Sequence, residues 1–528
     1  MELNDAGRSL RYGGLTRRDV LRGAAAGAVI LGVPSSLAAC GGDDDAPDRA
    51  RRVGGTLRVG VGSGFGASAT LDPDRFSGAQ PDQAALISLF DRLTVRDANF
   101  DVKLSLAEEL EPNATADEWT IRIRPDVELH DGRTLDADDL VASFRRKLEE
   151  GTTTAGNMPF LDPKRMRKLD QRTVRLTFLQ PYAPFPEILS RYQGFITPAG
   201  FDPKQPVGTG PFAFRSFTPG QRTVLERYPN YWGEGPFVER LVLSEINDET
   251  ARVNALLSGQ LEAIASVPTN QLRVVEGTQG LELLTSETGA LRPLVMDTRN
   301  KPFDDVRVRQ AVRLMADREQ MLELALAGRG KLGNDVFGPL DACYDDAGLP
   351  QRERDTEQAQ SLLRQAGQEG LSLELFTSDV APGLVQGSEV FAQNAKDAGV
   401  DVRLRKIPAS SYFTSTWTQV PFFVTYGATS PYLEYAAIAT LSSATVPETL
   451  FDNRRYDRLY REAVAALDEQ RRCELVAEMM RIDYEQGGYL IWAFPNFEDA
   501  YSDQVTGFAP VKGWMPLTNF EFNRVSFV

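Results

Sequence analysis

Apolar and polar residues alternate with period two in several short windows of this chain and recur at helical spacing in others, and the two kinds of window interleave from about residue 56 to the C-terminus. Thr56-Leu57-Arg58-Val59-Gly60-Val61 alternates between glycines and predicts a first strand; Trp119 to Arg124 and Thr173 to Phe178 alternate likewise and predict half-buried strands. Ala85, Leu86, Leu89, Phe90 and Leu93 share one face of a predicted helix from Asp82 to Leu93, and Leu140, Val141, Phe144 and Leu148 one face of another from Asp138 to Leu148. Further on, the spacing predicts a helix from about Asp305 that buries Val308, Ala311, Val312 and Met315, and a second from about Asp452 to Glu485. Strands interspersed with helices throughout imply an α/β architecture of lobes, not a sandwich or a bundle. No repeat of fixed period is present.

The first residues follow neither period. Thr16-Arg17-Arg18-Asp19-Val20-Leu21-Arg22 is a short basic region, Gly23 to Leu37 a run of small apolar residues, and Leu37-Ala38-Ala39-Cys40 a small-residue cleavage site. That order is the order of a bacterial export signal, and the run is shorter than the roughly 20 apolar residues a spanning helix needs. The paired arginines resemble the twin-arginine signal, and Leu37 to Cys40 resembles a lipobox, in which the Cys40 thiol is acylated and becomes the new N-terminus. The expectation is a signal peptide over 1–39, a lipidated Cys40, and a flexible stalk over 40–52, where Gly41-Gly42-Asp43-Asp44-Asp45-Ala46-Pro47 is polar and without period. The protein is then extracytoplasmic and held to the cell membrane through its lipid alone.

Composition narrows the partners. The formal charge of the 528 residues is -16, which argues against nucleic acid or an anionic lipid surface. Three cysteines are too few for a disulfide framework, and for Cys343 and Cys473 a bridge and two separate thiols both fit. A single histidine, His130, rules out most multi-histidine metal sites. Gly62-Ser63-Gly64-Phe65-Gly66 follows the first strand, but its spacing matches neither a dinucleotide fingerprint nor a phosphate loop, so it reads as a loop that lets backbone approach a ligand. An exported hydrolase is the reading from another class; against it, there is no Gly-x-Ser-x-Gly elbow and no His-Glu-x-x-His helix.

Four segments in order carry a resemblance. Glu128-Leu129-His130-Asp131-Gly132 leads through Asp136, an N-cap candidate, into a helix; Pro206-Val207-Gly208-Thr209-Gly210-Pro211-Phe212 is a tight turn into a strand; Arg227-Tyr228-Pro229-Asn230-Tyr231-Trp232 is an aromatic turn; and Pro302-Phe303-Asp304-Asp305-Val306-Arg307-Val308-Arg309-Gln310-Ala311 opens a helix. Together they resemble the family 5 extracellular solute-binding proteins of ABC importers, which include oligopeptide-, dipeptide- and nickel-binding members. The resemblance implies a two-lobe periplasmic-binding-protein-like fold of type II. Lobe I would be 53–288 plus 495–528, with an extra subdomain over 98–198; lobe II would be 289–494. The solute would lie in the cleft between them, enclosed as the lobes close, and be passed to ABC transporter permease subunits by a monomeric receptor with no cofactor and no catalytic residues.

In peptide-binding members of that family an acidic pattern in lobe II pairs with the peptide ammonium. Its position here falls on Thr429 or Ser430, so the resemblance implies a peptide or peptide-like solute while this departure admits an oligosaccharide or other non-peptide one. A hydroxyl accepts from an ammonium without neutralising it, and Glu434 is the alternative source of charge. Candidate ligand-binding residues are Ser63, Gly64 and Phe65 from lobe I, Arg292 as partner for a carboxylate, and Tyr412, Trp417, Tyr426, Thr429, Ser430 and Tyr432 from lobe II. No protein metal site is expected, though a metal held within a chelator remains open.

Overall fold

A computed structural model of the chain describes residues 51–62, 66–76, 78–155 and 158–528. The expected signal peptide, Cys40, the stalk up to residue 50, and Ser63, Gly64 and Phe65 lie outside the described residues. The first part of the described chain contributes the strands β1 (Thr56–Val61), β2 (Thr94–Arg96), β3 (Val102–Leu104), β4 (Ala107–Pro112), β5 (Glu118–Ile123), β6 (Leu161–Lys168) and β7 (Thr173–Phe178). The middle adds β8 (Phe212–Thr218), β9 (Arg222–Arg227), β10 (Arg240–Glu245), β11 (Ala263–Ile264), β12 (Leu281–Ser286) and β13 (Arg292–Met296). The remainder supplies β14 (Gly330–Leu332), β15 (Ser372–Thr377), β16 (Asp401–Lys406), β17 (Phe422–Val424), β18 (Tyr489–Pro495), β19 (Phe497–Ser502), β20 (Val505–Thr506) and β21 (Ser526–Phe527).

Three sheets organise these strands: seven in the order β12-β19-β11-β1-β10-β9-β8, six in the order β14-β18-β13-β17-β15-β16, and four in the order β4-β5-β7-β6. The strands predicted from alternation are β1, β5 and β7, and β5 buries every second residue as its pattern requires. β13 and β18 are buried along their whole length, which is why neither shows an alternating pattern.

The chain passes between the seven- and six-stranded sheets twice, after β12 and after β18. β1 runs parallel to β10 and β11, and β19 runs against β11 with Ile264 opposite Ala500, so β19 begins, and β12 ends, at the carboxyl edge of the parallel strands. In the six-stranded sheet β15 is parallel to β16 and β17, and β13 runs against β17 with Leu294 opposite Val424, so β13 also begins at the carboxyl edge. Both crossings therefore join one carboxyl edge to the other. Thr288 on the first crossing donates its hydroxyl to the Pro495 carbonyl on the second at 2.6 Å, which ties the two together.

Two helix predictions need correction. The first helix covers Gln80–Leu89 and stops short of Leu93, because Phe90 turns extended where the Gly208 to Gly210 turn packs against the Leu89 carbonyl. The long helix from Asp452 to Glu485 is two helices, Arg454–Ala465 and Glu469–Gln486, with Asn453 capping the first and the Asp468 carboxylate accepting from the Arg471 N–H to start the second. Asp136 is an N-cap as expected and completes a capping box with Asp139. His130 pins the Gly208 turn: its Nδ1 accepts from the Gly208 N–H at 3.2 Å and its Nε2 lies 2.9 Å from the Gly210 carbonyl. Burial pulls its ionisation down to about 4, so it is neutral here.

One apolar cluster runs from the four-stranded sheet, through Trp119, Ile121, Phe144 and Phe185, to Leu433, Leu459 and Val476 on the helices beside the six-stranded sheet. The Ala183 N–H donates to the Val464 carbonyl at 2.6 Å across this contact. Cys343 and Cys473 form a disulfide on its flank, the first of the two arrangements left open by their number. No helix among the described residues is long and apolar enough to cross a membrane.

Candidate functional site

Open α/β sheets hold ligands outside the carboxyl ends of their strands, where loops are free of the hydrogen-bond ladder while their roots stay rigid. Here the crossings bring two such edges together. On the seven-stranded side β1 passes into Gly62, where a Cβ would collide with the Arg252 guanidinium. Arg252 is 2% exposed and donates through Nη1, Nε and Nη2 to the carbonyls of Ile246, Ala265 and Ser266 at 2.6, 3.0 and 2.9 Å, binding the loops after β10 and β11 together. Gly66 donates its N–H to Glu245 at 3.2 Å, and Thr70 its N–H to Asp82 at 3.3 Å. Burial, together with the negative charge of Glu245, pushes the Asp82 carboxyl up to about 7. This wall is acidic.

On the six-stranded side β13 opens with Arg292, 8% exposed. Its Nε donates to the Pro382 carbonyl in the loop after β15 at 2.9 Å and its Nη1 to the Leu291 carbonyl at 3.2 Å. Burial pulls its ionisation down to about 10, which leaves it charged at neutral pH, and the Tyr426 phenol lies near enough for the two to influence one another. Tyr426, just past β17, is 43% exposed and meets Phe413, 41% exposed, edge to face with ring centroids 6.1 Å apart. Phe413 in turn stands edge to face on Trp417 at 5.3 Å.

The other candidates occupy different positions. Tyr412 is wholly buried and donates to the Val424 carbonyl at 2.6 Å. Tyr432, wholly buried too, donates to Asp483 at 2.5 Å. Both were expected at the cleft and are core side chains instead, because each stands on the inward face of its helix. Trp417 is partly buried and donates Nε1–H to the buried Glu448 carboxylate at 2.9 Å, a carboxyl that burial pushes up. The Thr429 hydroxyl accepts from the Gly289 N–H at 3.0 Å and donates to the Gly513 carbonyl at 3.1 Å, joining the first crossing to the C-terminal segment. Ser430 accepts from Arg191 at 2.7 Å, and Arg191 also pairs with Glu434 at 2.7 Å. Glu434, the alternative charge for an ammonium, is thus answered by the protein's own guanidinium.

The structure groups Arg292 and Tyr426 of the expected residues and adds Phe413; Asp82 and Glu245 stand together on the seven-stranded side. Phe413 follows Tyr412 directly, and adjacent helical positions point about 100° apart, so one is buried and the other open; the sequence carried no sign of which. Asp82 was read only as the start of a helix.

Among the described residues no group of three or more His, Cys, Asp or Glu side chains could hold a metal ion. The model of the bacterial extracellular solute-binding proteins, family 5, matches residues 101–447. The chain is 24% identical over 491 residues to the glutathione-binding protein GsiB of Salmonella paratyphi A, covering 88% of this chain and 93% of that one. Its fold is that of AgaA of A. tumefaciens R10, solved with agropinic acid, at TM-score 0.75 and 22% identity over 90% of this chain and 99% of that one. It is equally that of DppA of Helicobacter pylori, solved with the peptide STSA, at TM-score 0.76 and 19% identity over 90% of this chain and 98% of that one. The chain therefore belongs to the family 5 bacterial extracellular solute-binding proteins, two-lobe receptors that serve ABC importers outside the cytoplasm.

Proposed function

We propose that this receptor takes a peptide or peptide-like solute between the facing carboxyl edges of its two large sheets, and passes it unchanged to an ABC permease. The observation that carries the reading is the placement of Arg292, Tyr426 and Phe413 at the edge where both crossings meet: a buried cation beside two exposed rings. Rings of this kind cover the apolar parts of a solute while a few polar groups orient it. The relatives' glutathione and peptide ligands support the same class. The protein acts as a monomer, without catalysis, and is anchored through a lipid on Cys40.

Closure is a rotation of the lobes about the two crossings. Arg191 with Glu434, Gly513 with Thr429, and Ala183 with Val464 join residues of the proposed lobe I to residues of the proposed lobe II. The test is a thermal-shift screen of the purified protein against di- to pentapeptides, glutathione, maltodextrins and metal chelates, since a ligand of the folded state alone raises the midpoint by mass action. Peptides or glutathione are expected to raise it; a rise with maltodextrins only would exclude the peptide class. Replacing Cys40 with Ala is expected to move the protein from the membrane fraction to the soluble one without changing that response, and retention on membranes would remove the anchor.

A further inference from the structure

The buried arginines of this chain fall into two groups. Arg252 donates through all three nitrogens to carbonyls. Arg309 does the same with Gln486 and Phe303, and Arg313 with Tyr489, Tyr484 and Gly487. Arg191 and Arg318 face carboxylates at 2.7 and 2.6 Å. Each of these charges is answered inside the protein. Arg292 is different: Nε and Nη1 each reach one carbonyl, Nη2 donates to no protein group among the described residues, and no carboxylate stands within ion-pair distance. Arg92 also keeps nitrogens free, but it lies over the Trp514 ring at 5.3 Å, Glu521 and Asp91 act on its charge, and it lines a separate cavity of about 210 Å³ beside the helix Gln80–Leu89.

A guanidinium kept out of water without a counter-charge costs several kcal/mol on general grounds, and Arg292 is held at the carboxyl edge proposed above to receive the solute. Arg292 lies near enough to the Tyr426 phenol for the two to influence one another, and Tyr426 meets Phe413 edge to face at 6.1 Å, both rings being exposed. The residues on which an ammonium would otherwise be sought, Ser430 and Glu434, are engaged with Arg191. We propose that the solute bears a carboxylate which Arg292 binds through its free Nη2 edge, with Tyr426 and Phe413 packed on the apolar groups beside that carboxylate. The proposal rests on the receptor reading above and names the chemical end of the solute that fixes its orientation.

The experiment is isothermal titration of the purified wild type, Arg292→Gln and Arg292→Lys with glutathione and di- to pentapeptides, each as free acid and as C-terminal amide, and with maltodextrins. Wild type is expected to bind an acid about ten- to a hundred-fold tighter than its amide, the range of a charge-assisted contact. Arg292→Gln is expected to bind acid and amide equally, and Arg292→Lys to restore part of the preference, because a lysine keeps the charge without the planar fork. Equal affinity of the wild type for acid and amide, or a preference that survives in Arg292→Gln, overturns the carboxylate proposal and leaves the receptor reading standing. Binding of maltodextrins alone overturns the carboxylate proposal and the peptide class with it, leaving only a receptor for a different solute. Silence from every probe overturns both.

Discussion

Asp483 shows what a single buried group does to this protein. Its carboxylate accepts from the hydroxyls of Tyr432 and Tyr456, at 2.5 and 3.1 Å, far from solvent, and burial pushes it up to about 7. A carboxyl whose folded value lies above its unfolded value near 4 holds its proton more firmly when folded. Its contribution to stability is therefore full below about pH 4 and is lost as the pH rises through about 7. The wild-type melting midpoint is expected to fall between pH 5 and pH 8, and to fall less in Asp483→Asn, measured by calorimetry across that range; parallel slopes would remove Asp483 as a source. Asp82 and Asp499, which burial also pushes up to about 7, contribute to the slope that remains. Thr429→Val keeps the shape and deletes the hydroxyl between Gly289 and Gly513, so it is expected to cost about 1–3 kcal/mol in urea unfolding while solute affinity changes little. A large affinity loss with unchanged stability would return Thr429 to the ligand surface. At this scale the sequence was informative about residue types and not about directions: Tyr412, Tyr426 and Tyr432 look alike in the chain, yet only Tyr426 is exposed.

At the scale of elements, the helix Tyr432–Ala439 carries Glu434 to Arg191, which lies just past the helix Phe185–Leu189. Both side chains are about nine-tenths buried, and removing one member of such a pair strands the other, at about 3–5 kcal/mol. Glu434→Gln is therefore expected to loosen the contact between the segments that carry Arg191 and Glu434. The checks are a larger radius of gyration in solution scattering without solute and a weaker solute affinity; an unchanged radius would mean that the pair does not hold the lobes together. Alternation made β1, β5 and β7 legible, because β5 along its whole length, and β1 and β7 over their first four residues, bury alternate side chains. The division of residues 452–485 into two helices was less visible: the apolar spacing continues through it, and only Asp468, a capping residue type inside the run, marks the break.

For the molecule as a whole, the Cys343 to Cys473 bridge closes a loop with a sequence separation of 130. On chain-entropy grounds a loop that long restrains the unfolded chain by about 5 kcal/mol. Replacing both cysteines with alanine is expected to lower the urea midpoint of wild type substantially, and treatment of wild type with reductant to do the same; a midpoint insensitive to both would mean the bridge adds nothing. A stable disulfide accords with work outside the cytoplasm. The alternating strands and the capped helix start at Asp136 were determined by the sequence itself, because they depend on neighbours within a few residues, whereas the Gly208 to Gly210 turn is legible as a motif but held by His130 and the Leu89 carbonyl. The sequence also determined the family, whose four short segments are local turns and helix starts. The pairing of strands, the meeting of two carboxyl edges at the crossings, the bridge between distant cysteines and the isolation of the Arg292 charge were decided only by the tertiary structure. Each depends on which distant groups come within a few ångströms, and a guanidinium's partners, unlike its charge, have no representation in the order of residues along a chain.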